Sequence, residues 1–130
     1  GIALISVGHM FEEAEKTRRA IKKIGYNCSL INARFVKPLD GEMIDELSKT
    51  HRLIVTIEEN ILCGGFGERV SDYVLKNHIP VQVLSVALPD DYIEHGSVDL
   101  LRREVLLDAD SMTKRIVTEY VQLQQEEERK

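Results

Sequence analysis

With 130 residues, 43% of them hydrophobic, the chain has the size and apolar content of one compact domain with its own core, which excludes a disordered segment and leaves no room for a second domain. Seventeen basic against 22 acidic residues give a formal charge of −5, and Lys and Arg form no block longer than a pair, so the basic footprint needed to bind nucleic acid or an anionic membrane is missing. The longest apolar runs are strand-sized, which excludes a signal peptide or a membrane-spanning helix and makes a soluble, cytoplasmic protein the expectation.

Ile2-Ala-Leu-Ile-Ser-Val7 follows Gly1 directly and reads as a buried strand; with no initiator Met and no leader, the chain is expected to be a domain cut from a longer polypeptide. After Gly8-His9, Met10, Phe11, Ala14, Ile21 and Ile24 fall near one helical stripe. Glu12, Glu13 and Glu15 come early in that helix and Lys22 and Lys23 late, as its dipole prefers, and Gly25 suits a C-terminal cap. Tyr26 to Ile31 is a second strand. Pro38 keeps the following loop extended, before a short helix bearing Met43, Ile44 and Leu47.

Leu53 to Ile57 has the β-branching and length of a strand covered on both faces, and it leads through Glu58-Glu59-Asn60 and Gly64-Gly65-Phe66-Gly67 into a helix carrying Val70, Tyr73 and Val74 to about His78. Pro80 to Ala87 is a fourth strand, since proline fits a strand's first residue. Leu88 to Gly96 is irregular, Ser97 can cap a helix with Val98, Leu101 and Val105, and Asp110 or Ser111 can cap a last helix striped by Met112, Ile116, Val117, Tyr120 and Val121. The domain is expected over residues 1–123, with 124–130 a polar tail that frays.

Strands alternating with helices predict an α/β fold: three layers, α/β/α, around a mostly parallel, doubly wound sheet of four to five strands. If the sheet order reverses beside the first strand, Gly8-His9 and Glu58-Glu59-Asn60 flank the switch-point crevice, where α/β folds usually bind ligands or partners.

The chemistry available there is limited. Glycines at a helix start can cradle an anion, but this turn lacks the Gly-Lys-Ser/Thr of a phosphate loop and the third glycine of a dinucleotide fingerprint, so a tight turn and close packing are favoured. Glu58 and Glu59 are adjacent on an extended segment and point to opposite sides, so their spacing does not make a catalytic dyad. Accepting N–H bonds from the glycine turn, or facing a neighbouring domain, is the favoured role over acid/base work. His9, His51, His78 and His95 have no metal spacing, and Cys28 and Cys63 form no CxxC, so free thiols are expected and Cys63 has no arranged base. His95 is the best candidate among the histidines for a polar contact.

Asn32-Ala-Arg-Phe-Val-Lys-Pro-Leu-Asp40, Thr56-Ile-Glu-Glu-Asn60 with Gly64-Gly65-Phe66-Gly67, and Leu88-Pro-Asp-Asp-Tyr-Ile-Glu-His-Gly96 resemble, in order, the C-terminal, transketolase-type third domain of 1-deoxy-D-xylulose-5-phosphate synthases. The glutamate-rich strand end followed by glycines is shared with transketolases and 2-oxo acid dehydrogenase β subunits, while the Leu-Pro-Asp to Ile-Glu-His-Gly segment singles out the synthase.

The resemblance implies a parent transferase that is a cytoplasmic homodimer dependent on thiamine diphosphate and Mg2+, condensing pyruvate with glyceraldehyde 3-phosphate for isoprene biosynthesis. It places the cofactor in the two preceding catalytic domains, through a Gly-Asp-Gly motif that this sequence lacks and an activating glutamate that is neither Glu58 nor Glu59. No catalytic, cofactor or metal residue is therefore expected here, and the isolated fragment is expected to be inactive. His9, Glu58, Glu59, Asn60, Gly64, Gly65 and His95 are the expected interdomain or dimer contacts. The alternatives are a regulatory small-anion-binding domain, or the same domain of another transketolase-like or 2-oxo acid dehydrogenase enzyme. Family domains also open with an antiparallel edge strand that has no counterpart here, which implies a bare sheet edge.

Overall fold

The structure, a computed structural model, describes residues 1–33, 41–58, 65–87 and 108–129. Its strands are β1 (Ile2–Val7), β2 (Cys28–Ala33), β3 (Leu53–Glu58) and β4 (Gln82–Ala87), and its helices are α1 (Phe11–Ile24), α2 (Gly41–Thr50), α3 (Phe66–Lys76) and α4 (Ala109–Glu128), with a 3-10 turn at Gly8–Met10. The four strands are parallel in the order β2-β1-β3-β4, so the winding reverses between β1 and β3. Among the described residues β2 and β4 are the outer strands, and no antiparallel strand joins the sheet.

Every residue of β1 and of β3 is buried, as expected of strands covered on both faces. Ile2 and Leu4 of β1, with Leu53, Val55 and Ile57 of β3, face Ala14 and Ile21 of α1 and Met112, Ile116 and Tyr120 of α4. The alternate residues Ala3, Ile5, Val7 and Ile54 face Ile44 of α2 and Phe66, Val70 and Val74 of α3. Each such side chain contributes roughly 1.5–3 kcal/mol by leaving water. The Tyr26 and Tyr120 rings meet edge to face at 5.1 Å, seating α4 beside the entry to β2.

Several boundaries differ from the sequence reading. β2 starts at Cys28, not Tyr26, because Gly25 closes α1 in the left-handed conformation (φ 117°) and Tyr26 N–H turns back to the Ile21 carbonyl. β4 starts at Gln82, after Pro80, and α3 ends at Lys76, where His78 takes the left-handed conformation and Ile79 N–H closes on the Val74 carbonyl. The last helix is led by Asp108 in extended conformation, not by Asp110 or Ser111. It continues to Glu128, and Glu127 meets Arg52 at 2.7 Å. Phe11 and Ile24, placed on the apolar stripe of α1, are 40% and 55% exposed. At 100° per residue Phe11 lies roughly a quarter-turn from the Ala14–Ile21 face, and Ile24 sits in the final turn. The helix expected from Val98 to Val105 lies outside the described residues.

On the outer face of α1, Arg18 grips Glu15 at 2.6 and 2.9 Å and Arg19 joins at 3.2 Å. The bond to Arg18 is the largest influence holding the Glu15 carboxyl down, from its ordinary 4.5 to about 2. A carboxyl that ionises more readily folded than unfolded adds stability above its unfolded pKa and loses it as the pH falls to the folded one. Glu15→Gln is therefore expected to be less stable than the parent at pH 7, with the gap closing between pH 4.5 and about 2. Because water reaches both side chains and screens the pair, the gap is expected to be small in urea titrations across that range.

Candidate functional site

The reversal of the sheet between β1 and β3 brings the carboxyl ends of those strands together. Gly8 follows β1 with φ 71°, a left-handed turn that glycine adopts without strain, and it feeds His9 and Met10 into the 3-10 turn before α1. Glu58 ends β3 and Gly65 precedes α3 at that end. The sequence condition for a shared crevice is thus met for the backbone at Gly8 and His9 and for Glu58.

Glu58 is 4% exposed and turned inward. Phe66 N–H donates to its Oε1 at 3.1 Å and Gly67 N–H to its Oε2 at 2.7 Å, so one carboxylate satisfies two of the orphan donors that open α3. Of the roles weighed for this glutamate, accepting N–H bonds from the glycine turn is the one observed. Its carboxylate is engaged within this chain, at the start of α3. The same geometry counts against a small-anion site at α3, because the anion at that helix start is Glu58 itself.

Gly67 explains why the helix can come so close. A Cβ there would lie 2.5 Å from Thr56 Oγ1 and closer still to Ser85 Oγ. Thr56 and Ser85 are register partners on β3 and β4, and their hydroxyls are 3.3 Å apart beneath the first turn of α3. Gly65 has φ −79°, which any residue adopts, while at Gly67 the close approach of the sheet leaves no room for a side chain.

The profile of the transketolase C-terminal domain family matches residues 1–112. The chain belongs to that family. It is 42% identical over 116 residues to the 1-deoxy-D-xylulose-5-phosphate synthase of Lachnoclostridium phytofermentans, covering 88% of this chain and 19% of that protein. It is 40% identical to the synthase of Chlorobaculum tepidum, over 92% of this chain and 19% of that one, and 38% identical to that of Sodalis glossinidius, over 89% and 18%. The chain thus spans about a fifth of the length of these curated relatives. A solved structure, "Split gene transketolase, inactive beta4 tetramer", shares the fold with a TM-score of 0.81 at 21% identity, covering 90% of this chain and 38% of that one.

Of the contacts expected on this transketolase C-terminal domain, Glu59, Asn60, Gly64 and His95 lie outside the described residues, as does Cys63, and His9 is placed by its backbone. His78 is exposed at the end of α3. His51 is a clasp: one ring nitrogen is 2.9 Å from the Leu47 carbonyl at the end of α2 and the other 3.0 Å from Ser29 Oγ on β2. Among the described residues no group of three His, Cys, Asp or Glu side chains is arranged to hold a metal, and no helix is long and apolar enough to cross a membrane.

Cys28 is buried, and burial pushes its thiol up to about 12. The nucleophile is the thiolate, so Cys28 is expected to resist iodoacetamide at pH 8 in the folded domain and to react within minutes in urea. Mass measurement of the Cys28 peptide checks this.

Three contacts escaped the sequence reading. Glu13, taken as a dipole residue of α1, also accepts the Ala109 N–H at 3.1 Å and so caps α4 from across the fold. Tyr73 Oη donates to Asp45 at 3.1 Å and lies where a Cβ on Gly41 would sit, 2.7 Å away. The pairing of Thr56 with Ser85 did leave a signal, two small hydroxyl residues interrupting apolar strands, and both lie beneath the first turn of α3.

Proposed function

We propose that this chain is the C-terminal domain of a thiamine diphosphate- and Mg2+-dependent 1-deoxy-D-xylulose-5-phosphate synthase, a cytoplasmic homodimer. The reaction joins pyruvate to glyceraldehyde 3-phosphate with loss of carbon dioxide. The observation that carries the reading is identity of 34–42% to proteins of that name over nearly the whole of this chain. In it, residues 1–123 are the domain proper and 124–130 a polar C-terminal segment, into which the last helix runs as far as Glu128.

The role of the domain is assembly. The pair of N–H groups opening α3 is filled by Glu58. The cofactor falls to the two preceding domains, and this chain's own residues supply contact. His9 and Gly65 stand at the carboxyl end of the sheet. Glu59, Asn60 and Gly64 follow β3 in the sequence and His95 falls between β4 and α4, and with them the proposed contact set toward the partner domains or the dimer mate is complete. Phe11, 40% exposed one residue beyond the 3-10 turn, adds an apolar side chain to the same end.

A domain exchange tests this. Placed in the Lachnoclostridium phytofermentans synthase in place of its matching segment, the chain is expected to give a dimer with turnover within about tenfold of the parent, a barrier change of about 1.4 kcal/mol. A folded, dimeric chimaera without synthase activity would contradict the reading.

A further inference from the structure

We draw no further inference here: the strongest candidate, the buried Ser6 hydroxyl at the carboxyl end of β1, which has no hydrogen-bond partner among the described residues, belongs to the strand-end site already described and, fully buried and with Glu12 and Glu13 in the first turn of the helix that follows, points to no ligand.

Discussion

Replacing Glu58 with alanine is expected to destabilise the domain by about 3 kcal/mol, a large share of the 5–15 kcal/mol that holds a domain of this size. The carboxylate accepts N–H bonds from both Phe66 and Gly67 while 4% exposed. Hydrogen bonds to a buried charged group each contribute about 1.5–3 kcal/mol, and their removal strands two donors at the start of α3. Glu58→Gln separates charge from shape. Its one carbonyl oxygen can serve one donor while its amide group faces the other, so a loss of about 2 kcal/mol is expected. Glu58→Asp keeps the charge but falls one methylene short of the helix, and should resemble alanine more than glutamine. Urea midpoints at pH 7, with an unchanged dependence on denaturant, would measure all three. Alanine and wild type with equal midpoints would remove Glu58 as the cap of α3.

Gly67→Ala is expected to destabilise by about 2–3 kcal/mol, although alanine in a helix is ordinarily better than glycine by about 1 kcal/mol. The new methyl has nowhere to go: Thr56 Oγ1 and Ser85 Oγ lie within 2.5 Å of it and Ser85 Cβ at 2.9 Å. Relief can come only from α3 lifting off the sheet, which lengthens the two bonds to Glu58, or from the hydroxyl pair giving way. Thr56→Ala in the Gly67→Ala background should therefore recover part of the loss, while in the wild-type background it only removes a 3.3 Å hydrogen bond and costs stability. That sign reversal is the signature of direct contact. A Gly67→Ala protein as stable as wild type would mean that the helix does not sit this close.

The two effects share a cause, the seating of α3 on β3 and β4, and it shows how far the sequence could be read. Strand runs such as Leu53 to Ile57 announced themselves by β-branching and length, and Gly25 marked a helix end, because those signals depend on near neighbours in the chain. Alternation of strands and helices predicted a parallel sheet, while the reversal beside β1 stood only as a condition, which the strand order meets. The turn after β3 was legible as packing glycines beside an N–H-accepting glutamate, but not which glycine, since that depended on Ser85 arriving 18 residues later in the chain. Glu13 capping α4 bridges 96 residues, and Arg52 reaches Glu127 in the last turns of α4 across 75. No local pattern encodes either, and the polar stretch after Leu123 accordingly read as a tail.

The proposed contacts at the strand ends rest on the same seating, because Glu58 ties the end of β3 to the start of α3. They make the domain a support for chemistry carried elsewhere, and that claim is the one to test most directly. The measurement is a calorimetric titration of the 130-residue chain with thiamine diphosphate and Mg2+, beside an intact synthase as positive control. The account predicts saturable heat from the intact enzyme and none from this chain. Saturable one-to-one binding by the chain alone would contradict it, by showing a cofactor site within these residues.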